Sequence, residues 1–231
     1  MTSRALAVLG TLGVTDHGFD LNQPLTAVTA PKWKAHGYTF VDRYIWRDHQ
    51  RPYDLSIAEI EVILAAGLAL TVTQHYAGDG WRPNASIGGS YGRMAVQAAN
   101  SLELPSGLTL TCDLEGCDDD VSAIDVVEYG AQWAHAVADG GFLPQLYVGQ
   151  GCVLLPHELG DLPFPRFRRA LNLNTDQYPT GRGFCVFQHE AKPADIPDGV
   201  AIATSDFDTN TITGDRLGGF PTALIPQAVT V

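Results

Sequence analysis

The acidic residues of this chain fall where they can do chemistry together. Asp20 closes a Gly18-Phe19-Asp20 run, Asp113 and Glu115 flank Leu114, and Asp206 and Asp208 flank Phe207. In an extended strand, residues two apart point to the same side, so each of the two pairs presents its carboxyl groups together. Carboxyl groups converging in a partly desolvated hollow repel each other, and one then holds its proton toward neutral pH. A protonated carboxylic acid beside an ionised one is the pairing that glycosidic cleavage uses. Acids also end strands as helix caps or solvated loop residues, and that is the reading for Asp118-Asp119-Asp120, where Asp120 or Ser122 caps the next helix. Oxygen donors in such a cluster can also hold a divalent cation such as magnesium or calcium, which leaves a metal-dependent hydrolase as a third reading.

Aromatic residues fall near the same strand ends: Tyr44, Trp46, Tyr76, Trp81, Tyr147 and His189. Aromatic rings combine an apolar body with specific geometry, which suits both a sugar groove and a packed core. Tyr44 and Tyr147 fit barrel packing. Trp46 and Trp81, in loops beside charges and glycines, are the stronger groove candidates. Arg43 and Gln188 can donate hydrogen bonds to a sugar or orient a carboxylate. His75 and His189 have no Ser or Cys partner in a nucleophile motif and read as polar lining.

These residues need a scaffold that brings distant strand ends together. Strands are expected over residues 14–20, 38–45, 68–76, 107–115 and 143–148, with helices between them. A short helix covers residues 31–36. Ser56 and Glu59 form a capping box for a helix ending at Gly67. Residues 90–102 and 122–139 are helical, the latter stopped by Gly140-Gly141. Three further strands are expected over residues 168–174, 184–189 and 200–208, with Pro-, Gly- and Asp-rich connections that leave no room for helices. Eight strands with about five helices, the helices fading after the sixth strand, describe a TIM-like β/α barrel of the α/β class. Chemistry in that fold sits at the carboxyl ends of the strands. An open doubly wound sheet is the alternative, but no glycine-rich phosphate turn supports it, and no cofactor is expected.

Composition narrows the partners. A length of 231 residues suits one barrel domain over 1–231, since barrels of roughly 200–250 residues form one. The net charge of −12 repels phosphate backbones and anionic membranes, so nucleic acid is not expected. No apolar stretch approaches the roughly 20 residues of a membrane span. Arg4 precedes a mildly apolar run at residues 5–14, but no small-x-small cleavage site follows before Gly18, so an export signal is not expected. Cys112, Cys117, Cys152 and Cys185 show no CxxC spacing, so a zinc site is not expected; disulfides are left open, though a domain of this size does not need them.

Taken together, Gly18-Phe19-Asp20, Asp113-Leu114-Glu115-Gly116, Gln188 and Asp208-Thr209-Asn210 followed by Gly214 resemble two related groups. One is a bacterial and phage glycoside-hydrolase-like domain of unknown function that opens on a Gly-Phe-Asp strand. The other is the lysozymes of glycoside hydrolase family 25. The resemblance runs from Gly18 to about Gly214. It implies a barrel with eight strands and five helices, and cleavage of peptidoglycan or a related N-acetylated glycan. Glu115 would be the general acid and Asp113 a polarising or positioning carboxylate. Asp20 would be the first-strand aspartate, and Asp208, or else Asp206, the last-strand one. The other reading on the same scaffold is a non-catalytic glycan-binding or phage or cell-envelope module, since a fold does not fix a function.

Overall fold

The computed structural model describes residues 7–174 and 176–227. Arg4 and the start of the amino-terminal apolar run lie outside the described residues. Strand β1 (Ala7–Thr11) pairs antiparallel with β10 (Thr222–Pro226). Between them, β2 (His17–Leu21), β3 (Phe40–Ile45), β4 (Ala69–Gln74), β5 (Thr109–Leu114), β6 (Leu143–Val148), β7 (Arg166–Arg169) and β8 (Val186–Glu190) run parallel in chain order. Strand β9 (Phe207–Ile212) then returns antiparallel between β8 and β2 and closes an eight-stranded barrel. Helices α1 (Ala30–Ala35), α2 (Ile57–Ala65), α3 (Ala85–Ser101), α4 (Ala123–Asp139) and α5 (Pro156–Asp161) follow β2 to β6 in turn. This is the TIM-like barrel, with its helices fading after the fifth crossover. Among the described residues no helix is long and apolar enough to cross a membrane.

Three expectations need correction. The last barrel strand does not cover residues 200–208. Residues 204–206 form one 3-10 turn, and β9 begins at Phe207 and runs the other way. A parallel strand needs a crossover of a dozen or more residues that returns to the far end of the sheet, usually as a helix. The Pro- and Gly-containing connection after β8 makes no such crossover, so the chain turns back at the mouth. Second, β1 and β10 were not anticipated; the pairing joins the two ends of the chain, so neither strand has a local partner in sequence. Third, the capping box is only half made. Ser56 Oγ accepts from Glu59 N at 3.2 Å, but the Glu59 carboxylate turns instead to Arg43 Nε at 2.7 Å and Leu25 N at 2.8 Å.

Helix α3 also starts earlier than its spacing predicts, at Ala85, where Asn84 accepts from Ile87 N. Glycines in its first turns hide it from a propensity reading, and they are there for contact with α4. A β-carbon at Gly88 would lie 2.2 Å from Tyr129 O, and one at Gly92 would lie 2.7 Å from Trp133 O. Gly88→Ala should therefore force the helices apart and cost about 1–3 kcal/mol. Gly13→Ala, with nothing within 4 Å of the new atom, should be neutral or slightly stabilising. Thermal melts of the two variants distinguish backbone contact from general glycine loss. Equal melting temperatures would refute the contact argument.

The barrel lumen is built in tiers by the two-residue period. Leu12, Phe40, Ala69, Val186, Ile212 and Ala223 form an apolar floor. Above it the inward positions are polar yet buried, among them Asp20, Asp42, Thr71, Thr111, Gln145, Arg168 and Asn210. The mouth carries the carboxyl groups and the tyrosines.

Candidate active site

Arg168 organises the middle of the lumen. It donates to Asp42 Oδ2 and Asp20 Oδ2, each at 2.6 Å, and to Asn210 Oδ1 at 2.9 Å. Its guanidinium lies 5.4 Å from the centre of the Tyr147 ring. Asp42 is satisfied from the other side by the hydroxyls of Thr71 and Thr73 at 2.7 and 2.6 Å. Asp20 also accepts from Asn210 Nδ2 at 2.7 Å, from Gln188 Nε2 at 3.2 Å and from Tyr44 Oη at 3.4 Å. Burial pushes the Asp20 carboxyl up, against the pull of Arg168, Asn210 and Gln188.

The carboxyl groups above this network have few partners. Asp113 is buried, and its Oδ1 has no hydrogen-bond partner among the described residues. Burial first, and then the neighbouring Glu115, hold its carboxyl well above the ordinary range, which favours its neutral form. The Glu115 side chain makes no hydrogen bond among the described residues. Burial, then Asp79 and Asp20, push it up to about 7 against the opposing effect of Arg168. Asp208 pairs in register with Asp20 across β2 and β9. Burial and then Asp20 push it up to about 7 as well. Asp208 reaches the mouth because β9 is reversed, which puts the start of that strand beside the carboxyl ends of the others.

Loops fix Glu115 in place. Trp81 Nε1 donates to Glu115 O at 2.7 Å, and Gly116 N donates to Gln150 O at 2.8 Å. A β-carbon at Gly149 would sit 2.5 Å from Glu115 Cβ, so the glycine makes the space that this side chain occupies. Glu115 opens into a cavity of about 690 Å³ lined also by Asp79, Asp118, Gln150 and Asn172. A second cavity of about 560 Å³, bordered by Gln188, His189, Arg169 and Lys192, lies over β8. Among the described residues no group of three or more His, Cys, Asp or Glu side chains is arranged to hold a metal ion.

The structure brings together Asp20, Asp113, Glu115, Asp208, Tyr44, Tyr147 and Gln188. Tyr147 Oη donates to Gln188 Oε1 at 2.8 Å, which links it to Asp20. Tyr44 stacks on His75, with ring centres 4.6 Å apart, and His75 in turn meets Asp54 at 2.9 Å. Tyr76 lies beside Gly116, its ring 3.3 Å from where a β-carbon would be. Asp206 is exposed in the 3-10 turn before β9, not on the strand with Asp208. Arg43 is fully buried outside the barrel wall, bound to Glu59 and to the carbonyls of Leu21 and Tyr53. It is therefore not a mouth residue; its neighbour Asp42 takes the inward position. Trp46 and Trp81 are half-buried against the core, and Trp81 serves as a prop for the Glu115 backbone. His189 is exposed and meets Thr211 Oγ1 at 2.8 Å. Sequence reasoning missed Asp42, Arg168 and Asp79, and it gave Asn210 no role beyond its place in the motif. Alternating polar positions in otherwise apolar strands, as in Ala69-Leu70-Thr71-Val72-Thr73-Gln74, are the signal that marks a polar lumen.

The barrel gathers carboxyl groups at its mouth over a buried arginine, and its family is glycoside-hydrolase-like. The chain belongs to the Rv2525c-like, glycoside hydrolase-like domain family, which matches residues 31–198. Its fold is similar to that of the Tat-secreted protein Rv2525c of Mycobacterium tuberculosis, solved with L-tartrate. That likeness has a TM-score of 0.61 and 16% identity, over 89% of this chain and 98% of that one. A muramidase from Trichobolus zukalii gives a TM-score of 0.59 and 14% identity, over 86% and 94% of the two chains. The catalytic domain of endolysin ply40, from bacteriophage P40 of Listeria monocytogenes, gives 0.58 and 16%, over 88% and 95%. At these identities the likeness shows a shared fold. Among curated proteins, none matches.

Proposed function

We propose that this protein hydrolyses a glycosidic bond in peptidoglycan or a related N-acetylated glycan, with Glu115 as the general acid. The observation that carries this reading is the state of Glu115, an unbonded carboxyl opening into a cavity and pushed up to about 7. A general acid works best when it is protonated near the working pH and ready to give the proton up. Asp113, held neutral below it, acts as the polarising group, and Asp208 supplies the second carboxyl at the mouth. The Arg168 network fixes the geometry from beneath, with Tyr44, Tyr147 and Gln188 bonded into it around Asp20. The fold shared with a muramidase and a phage endolysin supports a cell-wall glycan as the substrate class. Purified protein should release new reducing ends from peptidoglycan, with the alkaline limb of kcat/KM near pH 7. A lack of cleavage across several cell-wall preparations would overturn the assignment.

One observation favours a second reading. Asp20 accepts hydrogen bonds from Arg168, Asn210, Gln188 and Tyr44, so the first-strand carboxylate is engaged inside the protein. On this reading the first-strand acid serves the internal ion network, and the barrel binds glycan without cutting it. Calorimetric saccharide binding with no product release is the result that this reading expects.

A further inference from the structure

Asp79 stands on the loop between β4 and α3, lining the same cavity as Glu115. The loop holds it there. Gly78 and Gly80 on either side have φ of +100° and +74°, and Gly116 has +65°, conformations open to glycine at no steric cost. A β-carbon at Gly116 would come within 2.8 Å of Asp79 Oδ1, so the bare glycine lets the carboxylate lie against the backbone that carries Glu115. Gly80 N donates to Gly116 O at 2.7 Å, and Asp118 N donates to Trp81 O at 2.9 Å. With the bond from Trp81 Nε1 to Glu115 O, these join residues 80–81 to 115–118. The Asp79 carboxylate itself is exposed, with no hydrogen bond or ion pair among the described residues.

We propose that Asp79 is a positioning residue of this site, acting on the Glu115 carboxyl from across the cavity. The inference rests on Glu115 being the acid that protonates the leaving group. Other groups face Glu115 too. Asp113 precedes it by two residues on β5, Asp20 stands on β2 and Asp208 opens β9. Tyr76 and Tyr147 flank it, and Arg168 on β7 is the opposing cation. Asp20 is paired with Arg168 deep in the lumen, and Asp113 is buried with no partner for its Oδ1 among the described residues. Asp79 is the solvated carboxylate beside the acid, and its charge favours the proton on Glu115.

The test compares Asp79→Asn and Asp79→Glu in the full chain. The Glu115 side-chain carboxyl is followed by 13C NMR from about pH 3 to about pH 9, with Glu115→Gln assigning the signal. Asp79→Asn should lower the Glu115 midpoint by about one pH unit and move the alkaline limb of kcat/KM down with it. Asp79→Glu should restore both. The melting temperature of Asp79→Asn should match wild type near pH 4 and lie slightly above it near pH 8, because a less raised carboxyl costs the fold less. An unmoved midpoint overturns the inference whether or not the protein turns over. A lowered midpoint in a protein that cleaves no glycan supports the link between the two residues while overturning the hydrolytic reading.

Discussion

Arg168→Met should cost about 3–5 kcal/mol of stability, lowering the melting temperature by roughly 6–20 °C for a chain of this length. Asp20 and Asp42 are 3% and 1% exposed, and Arg168 meets both at 2.6 Å. Methionine fills much of the space but leaves two carboxylates together in a low-dielectric lumen. Removing one partner of a buried ion pair costs more than the pair contributes, because the remaining charge is stranded. The sign of the pH dependence follows. Without the guanidinium, the Asp20 carboxyl, already pushed up by burial, loses its main opposing charge and rises further above its unfolded value. Stability is then fully present below the ordinary carboxylate range and is lost as pH rises through the folded values. The variant should therefore melt closest to wild type near pH 4 and furthest from it near pH 8. Adding Asp42→Asn to Arg168→Met should recover part of the loss, though Asp42→Asn alone is destabilising. Lysine is not an adequate replacement, since one ammonium cannot reproduce the forked contacts. If Arg168→Met melts like wild type at pH 8, the ion network does not hold the lumen.

That network was the least legible part of the sequence, and the reason is geometric. The alternation of polar and apolar residues in each strand is visible locally, but a buried charge is recognisable only when its partners from other strands are known. Asp42, Arg168 and Asn210 come from β3, β7 and β9. Strand parity does separate Asp42 from Arg43, which must point to opposite sides. The inward placement of Asp42, Tyr44 and Thr71 then requires Arg43 to face outward, toward α2. The Asp113 and Glu115 pair was legible because both lie on one strand end and Gly116 ends it. Asp208 reached the site by a route the spacing does not show, since the strand starts where it was expected to stop. Helices α1 to α4 were legible from caps, stop signals and apolar spacing, except for the first turns of α3, where glycines serve contact with α4; the short α5 (Pro156–Asp161) carries no such spacing. The β1 and β10 pair joins residues more than two hundred positions apart, so neither strand carries a local turn signal.

Glu115→Gln should lower kcat/KM by about 10²–10⁴-fold, a barrier increase of roughly 2.7–5.5 kcal/mol, while leaving the fold intact. Glutamine has nearly the same shape and, with no side-chain hydrogen bond lost, disturbs nothing around it. It cannot deliver a proton to a leaving oxygen. The stability comparison supplies the control. Glu115 is pushed up to about 7 in the folded protein, so the fold favours its neutral form. Its contribution to stability is present below the unfolded value of about 4.3 and is lost as pH rises through about 7. The amide stays neutral throughout. The variant should melt like wild type near pH 4 and above it near pH 8, even as turnover disappears. Activity within tenfold of wild type would remove Glu115 from the chemistry, and a lower melting temperature at pH 8 would contradict the raised carboxyl. Loss of rate together with gain of stability has one origin: an acid kept where its charge is disfavoured holds a proton it can transfer, and the fold bears the strain of keeping it there.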